Sequence, residues 1–437
     1  MTADAGRILF GLFGLTALIS AAWLASEDRR AVDWREIPKG VALQWLLAGF
    51  VLKVSIGRLF FDAIASAFVR LTDFVSVGSQ FVFGSLVDPT KFGFVFALQV
   101  LPTVVFFSSL TNVLYHFGVM QRVVAAMAWA IGKVMKVSGA EATVVCASLF
   151  LGSTEAPLTI RPYVEGMTES EMMTMMVAGM AHISGALMAA YVGLLGGDDP
   201  EQRQFFAKHL LTASVMAAPA TLILAKILVP ERGRPSTSGQ VAIHVGGETS
   251  NAIDAAATGA ADGLRLALNI GAMLLAFIAL IALVNAPLHW LGLVPWGAGG
   301  GSIDGWLSSM AGHRVELSLQ TAFGWVLAPV AWLIGVSWND AATVGRLIGE
   351  KIVINEFVAY VDLSQHLGVL TRHSQIISTY ALAGFANFAS IAIQIGGIGG
   401  LAPSRRKDVA RLGLRAVLGG GLATLMTATI AGVLSQL

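Results

Sequence analysis

Two glutamates stand where a chain this apolar should carry none. Glu155 lies in "GSTEAP", residues 152–157, and Glu356 in "INEF", residues 354–357, each inside an otherwise oily run. Burying a carboxylate unpaired is costly, so an ionisable residue at membrane depth marks a functional site by default. Pro157 and the small and hydroxylated residues before Glu155 interrupt a helix. Backbone freed by such a break must line protein or water, because lipid cannot satisfy it. The chemistry on offer suits a neutral, hydroxyl-rich solute whose donors face Glu356. Asn387 and Ser390, three apart, add an amide and a hydroxyl on one helical face. Phe385 adds an apolar ring that can meet a flat aromatic group. Neither break holds a basic residue for a carboxylate or phosphate substrate. The competing reading is structural, with each glutamate paired to Arg161, Lys351 or a backbone amide.

The elements that must position these residues follow from composition. The chain has 437 residues, 55% hydrophobic and 13% charged, against about 25% charged in soluble domains. An all-α polytopic membrane protein is expected. Apolar runs at 8–26, 41–57, 93–114, 172–195, 209–229, 266–288, 374–398 and 409–434 can each cross, with Lys53 and Lys226 snorkelling near ends. That gives eight transmembrane helices. The stretches 118–136, 143–160, 318–336 and 340–360 are too short or interrupted to span. Segments 59–76 and 251–265 carry polar residues at helical spacing and read as interfacial helices or as amphipathic helices packed on protein. Residues 230–250 form a hydrophilic loop and 295–305 a glycine-rich one. The first run competes with a secretory signal, since Arg7 precedes it and small residues end it; its length and the following Arg29 and Arg30 favour a retained span.

Positive loops set the orientation. Arg29, Arg30, Arg35 and Lys39 place 27–40 in the cytoplasm and the amino terminus outside. Residues 403–415 also fall inside, provided 318–336 and 340–360 together make no net crossing. Lys133, Lys136, Arg161, Arg232 and Arg234 fall inside, and the acidic "GGDDPE" at 196–201 falls outside. A net charge of +1 with dispersed basic residues excludes nucleic acid as a partner. Cys146, the single cysteine, excludes an internal disulfide and a thiolate metal cluster. No metal and no cofactor are expected, and no GxxxxGK[ST] motif points to ATP.

The chain repeats itself. "AWAIGKVMKVSGAEAT" at 128–143 and "AWLIGVSWNDAAT" at 331–343 share a pattern, with four extra residues, about one helical turn, in the first copy. Ser138 precedes Glu155 by 17 residues and Ser337 precedes Glu356 by 19; a small-residue-rich helix follows each. The first copy starts from the cytoplasm and the second from outside. This is an inverted repeat with two re-entrant hairpins, an architecture of many secondary transporters.

"GSTEAPLTIRPY", "KIVINEFVAY", "GFANFASIAIQIGGIGGLAP" and "SVMAAPATLILAKILVPE" resemble the concentrative nucleoside transporter family, with the likeness running in order from about Ser76 to the end. The resemblance implies a homotrimer in the lipid bilayer, most naturally a bacterial inner membrane, importing nucleosides by an elevator motion. It implies scaffold helices at 1–115, a first transport repeat with hairpin 1 at 116–230, an interfacial and a scaffold helix at 231–292, and a second transport repeat with hairpin 2 at 315–437. Carried over by position, Ser153, Thr154 and Glu155 would meet the nucleobase. Glu356, Asn387 and Ser390 would bind the ribose, and Leu187 and Phe385 would form apolar walls. The family commonly has Gly-Gln-Thr-Glu or Gly-Gln-Ser-Glu where this chain has "GSTE", which bears on base preference. Its sodium site maps onto Ser148, Leu151, His182 and Ile183. Losing an Asn at 148 and gaining His182 weakens an oxygen cage, so a proton is the expected coupling ion and Na+ the alternative.

Two rivals come from other classes. An intramembrane hydrolase using Ser153 and His182 lacks the Gly-x-Ser-x-Gly elbow and an orienting third residue. A passive channel gives no reason for two matched polar breaks.

Overall fold

The computed structural model describes residues 3–93, 95–237, 249–296, 301–311 and 314–437. Its first half comprises α1 Ala3–Leu24, α2 Glu36–Leu52, α3 Ser55–Phe83, the single turns α4 Pro89–Phe92 and α5 Phe96–Gln99, α6 Leu101–His116, α7 Val119–Val134 and α8 Gly139–Ala147. A 3-10 helix at Ala156–Gly166 precedes α9 Glu169–Ala181, α10 Gly185–Gly196 and α11 Pro200–Leu228. The second half comprises α12 Ala252–Leu293, α13 Ile303–Ala311, α14 Leu319–Leu333, α15 Trp338–Val353, α16 Glu356–His366, α17 Arg372–Leu382, α18 Phe388–Leu401 and α19 Arg406–Gln436. A two-residue β-ribbon, Pro295–Trp296 with Gly301–Ser302, is the only sheet among the described residues.

Six stretches are long and apolar enough to cross a bilayer: α1, α5 with α6, α9 with α10, α11, α12 and α19. The 17-residue α2 and the broken pair α17 and α18 lie over the two remaining apolar runs expected to cross. Helix α3 leaves α2 at 74°, which suits an interfacial helix over 59–76. The segment 251–265 is different from expectation. It is the beginning of α12, one continuous helix of 42 residues capped by Asn251. At 1.5 Å per residue α12 is about 63 Å long and outreaches the hydrocarbon at its ends. Its polar first turns therefore stay in line with the span. The loop expected at 230–250 lies outside the described residues over 238–248, and the glycine-rich one over 297–300.

Both broken stretches are re-entrant. Ser138 Oγ donates to Glu171 Oε1 at 2.6 Å and Thr174 Oγ1 to Glu141 Oε1 at 2.7 Å. The start of α8 thus lies beside the start of α9, so the segment between them enters and leaves at one end. Its return arm, with Pro157 and Pro162, is a 3-10 helix rather than an α-helix. In the second copy Thr371 donates to Asp340 Oδ2 through its amide and hydroxyl, and Arg346 pairs with Asp362 at 2.7 Å across α15 and α16.

The hairpin bases sit at opposite ends. One end gathers Arg411 with Glu169 (2.6 Å), Arg232 with Asp28 (2.8 Å), the Lys136 amide on Glu36 and Arg405 on the Glu165 carbonyl. There the Arg30 amide, ahead of nearby Arg232, holds the Asp28 carboxyl below the usual carboxylate range, which keeps it ionised for that pair. The other end gathers Arg203 with Asp73 and Asp198, Arg372 on Gln202, and His373 on the Gly335 carbonyl. Residues expected in the cytoplasm therefore share one end and 196–201 lies at the other. The repeat is inverted. Its four-residue difference is one added turn: α7 runs to Val134, six residues past Ala128, while α14 stops at Leu333, two past Ala331.

Repeat elements form the interior. The apolar stretches of α9 with α10, α11 and α19 are largely buried, while those of α12 and of α5 with α6 are largely exposed. The two breaks cross where Gly384 meets α9. A Cβ there would lie 2.7 Å from the Met180 carbonyl oxygen and 3.0 Å from the Ala181 carbonyl carbon. Backbone cannot yield as a side chain does, so Gly384→Ala is expected to cost about 1–3 kcal/mol and lower the melting temperature in detergent. An unchanged melting temperature would mean that the breaks pack loosely.

Candidate functional site

Glu356 is the first residue of α16, where unpaired amides and the helix dipole favour a carboxylate. Asn355 caps the helix, accepting from the Val358 amide at 2.9 Å, and so fixes where Glu356 starts. Glu356 Oε1 accepts from Tyr191 Oη and Oε2 from Asn387 Nδ2, both at 3.1 Å. Asn387 caps α18, its Oδ1 accepting from the Ser390 amide (2.9 Å) and hydroxyl (3.0 Å). Tyr191 is held by stacking on Tyr360 at 4.2 Å, and Tyr360 Oη donates to the Thr379 carbonyl at 2.8 Å. All three members of the Glu356–Asn387–Ser390 cluster are buried. Each carboxylate oxygen keeps a lone-pair direction for another donor.

Leu187, Asn355, Glu356 and Phe357 face Ile270, Met273 and Leu274 of α12 around a cavity of about 30 Å³. That is one water's share of liquid volume, whereas ligand pockets hold about 300–1,000 Å³. A ligand of nucleoside size enters only if α10 and α16 part from α12. A larger hollow of about 390 Å³ lies elsewhere, at the Glu27, Glu169 and Arg232 end, remote from both glutamates and built largely from loops.

The tip of hairpin 1 rests on glycines. A Cβ at Gly179 of α9 would sit 3.0 Å from Ser153 Cβ, and one at Gly397 of α18 would sit 2.7 Å from Thr154 Cγ2. Ser153 and Thr154 thus lie against the two broken helices, half-buried. Glu155 is exposed and receives only a long contact, 3.4 Å, from the Gly152 amide. Its charged and polar surroundings include Tyr115 and Asp262, on α6 and α12. Among the described residues no basic nitrogen lies within 4.0 Å of either glutamate. The structural alternative of pairing with Arg161 or Lys351 is therefore not realised. No hydrogen bond joins Glu155 to Glu356 or to the residues around it, so the two glutamates are separate stations.

Phe385 sits half-buried in the break between α17 and α18. The four candidate ion residues surround the other break. Ser148 Oγ donates to its own helix at Val144 O (2.8 Å), and His182 Nδ1 bonds Ala178 O (2.8 Å). Gly185 donates to the Phe150 carbonyl at 3.2 Å, tying the hairpin break, with Leu151, to the helix break, with Ile183. His182 engages Ala178 rather than Ser153, which removes the nucleophile-and-base arrangement. Sequence reasoning missed Tyr191 and Asn355. A Tyr in an apolar helix looks like an interface anchor, and an Asn beside a carboxylate does not announce a cap.

Comparison with known proteins places this geometry. The family model described as "Na+ dependent nucleoside transporter C-terminus" matches residues 209–432, its amino-terminal counterpart 13–86, and one described as "Nucleoside recognition" 97–198. An uncharacterized transporter of Haemophilus influenzae is 42% identical, covering 98% of this chain and 97% of its own length. The nucleoside permease NupC of Helicobacter pylori is 37% identical over 97% of each chain. The solved structure of CNTnw in an inward-facing substrate-bound state superposes with a TM-score of 0.86 at 40% identity, covering 98% of this chain and 99% of that one. These relatives are transporters, not enzymes. This multi-pass membrane protein belongs to the concentrative nucleoside transporter family.

Proposed function

We propose that this protein imports nucleosides across a bacterial inner membrane by cation symport. The observation that carries the reading is the buried Glu356–Asn387–Ser390 cluster at two helix N-termini, facing α12. The ribose hydroxyls donate to Glu356 and meet Asn387 and Ser390. The base extends to Ser153, Thr154 and Glu155, with Leu187 and Phe385 as walls. The hydroxyl of Ser153 is shorter than the amide common in relatives, which shifts base selection toward contacts bridged by water.

Residues 116–230 and 315–437 move as a transport unit against a scaffold of 1–115 and 231–292. Support for this elevator comes from the small cavity at their boundary and from the contrast between buried repeat helices and the exposed α12. The scaffold's apolar face, with Leu268, Leu275 and Leu283 all exposed, suits lipid and the contacts of a homotrimer.

A proton is the proposed coupling ion. With Nδ1 on the Ala178 carbonyl, His182 must carry its hydrogen there, and its buried Nε2 is left without a partner. Ser148 Oγ donates to its own helix and keeps its lone pairs, so with the Leu151 and Ile183 carbonyls the four residues offer three oxygens, few for a hard cation. The family model's sodium description favours Na+ as the second reading. In proteoliposomes, an inward proton gradient without sodium is expected to drive uridine accumulation, and His182→Ala to lose at least tenfold of it. Accumulation on a sodium gradient alone would put the ion on Ser148 and the carbonyls instead.

A further inference from the structure

Outside the hairpins the two repeats keep one sequence register. The N-caps Thr168 and Thr371, and again Ser184 and Asn387, stand at a constant offset of 203. The same offset pairs Ala178 with Ala381, and Ala220-Thr221-Leu222 of α11 with Ala423-Thr424-Leu425 of α19. In the second repeat these positions hold a cation. Lys351, 2% exposed, donates from Nζ to Ala381 O at 2.8 Å and to Thr424 Oγ1 at 2.7 Å. Among the described residues no carboxylate oxygen lies within 4.0 Å of it. A buried ammonium held only by neutral oxygens is costly. Its charge answers that of Glu356, five residues on, which lies beyond ion-pair distance but within electrostatic range.

The first repeat has the matching oxygens and no lysine. At the 201-residue offset of Glu155 and Glu356, the position opposite Lys351 is Phe150. Ala178 O receives the His182 imidazole instead. Thr221, fully buried, has its Oγ1 without a partner. Ser214 of α11 shares that state, whereas Thr212, Thr427 and Thr429 each donate to the carbonyl four residues back, and Thr424 both donates to Gly421 O and accepts from Lys351. A buried hydroxyl left unpaired is unfavourable, and a visiting cation would engage its oxygen.

We propose that Lys351 is a built-in cation standing, in the second repeat, where the first repeat receives the exchangeable coupling cation, and that Thr221 Oγ1 faces that cation. Each repeat then balances one hairpin-tip carboxylate with one positive charge, built in for Glu356 and carried for Glu155. One charge should cross per nucleoside. This inference rests on the symport reading above and adds to it a residue, a role for Lys351 and a stoichiometry.

The test uses the full-length protein. Charge moved per uridine and the half-saturating proton or sodium concentration are measured in proteoliposomes, and the cation-induced rise in melting temperature in detergent. Thr221→Val should raise the half-saturating concentration of the driving cation at least tenfold and abolish the cation-induced rise, while Thr429→Val, bonded to its own helix, changes neither. Lys351→Met should move two charges per uridine, because the emptied place fills from solution, and Lys351→Arg should move one. Wild-type cation dependence retained in Thr221→Val would overturn the inference, and so would one charge per uridine in a transporting Lys351→Met. If Lys351→Met does not fold, Thr221→Val still decides. Wild-type uptake indifferent to both gradients would instead remove the symport reading and this inference with it, whereas a failed Thr221→Val leaves symport standing.

Discussion

Glu356→Gln weakens uridine binding by about a hundredfold or more while the protein still folds. The carboxylate already accepts from Tyr191 and Asn387 and retains acceptor capacity for ribose hydroxyls. A hydrogen bond to a charged group contributes about 1.5–3 kcal/mol, so losing two charge-assisted ribose contacts costs about 3 kcal/mol or more. Glutamine also turns an NH₂ toward either the Asn387 amide or the Tyr191 hydroxyl, where an acceptor stood. Folding should survive because Asn355, not Glu356, caps α16. Equilibrium binding to purified protein reads the effect; affinity within threefold of wild type would place the ribose elsewhere.

Asn387→Asp separates architecture from recognition. Asn387 Oδ1 caps α18 and its Nδ2 donates to Glu356. Aspartate keeps an acceptor for the Ser390 amide, so the cap persists, yet it sets a second carboxylate about where the amide donor was. Two carboxylates in contact repel strongly in a site of low dielectric. The expected result is loss of detectable uridine binding with a melting temperature close to wild type. Asn387→Ala should lose binding and also about 1 kcal/mol of cap, lowering that temperature. Equal stability in both variants would mean that the cap contributes nothing.

Much of this arrangement was legible in the sequence. Glu155 and Glu356 stood out because a carboxylate in an oily run has few structural excuses, and the repeated "AW-x-IG" pattern fixed their relation. Hydropathy found the eight crossings because bilayer thickness sets helix length. Boundaries were less legible. The polar start of α12 looked like a separate helix, since composition cannot tell a helix lying in the interface from one that projects through it. Lys351 read as an ion-pair partner for Glu356, because sequence carries no distance; in the fold its ammonium turns to Ala381 and Thr424. Tyr191 acquires its role only through the stacking of α10 on α16, a tertiary event without local signature.

The most direct test of the binding site is a structure of the full-length protein determined with uridine bound. The ribose hydroxyls are expected within hydrogen-bond distance of Glu356 and Asn387, with the base directed at Ser153, Thr154 and Glu155 and α12 displaced from Leu187. Uridine found away from Glu356, or in the larger hollow beside Glu169 and Arg232, would contradict it.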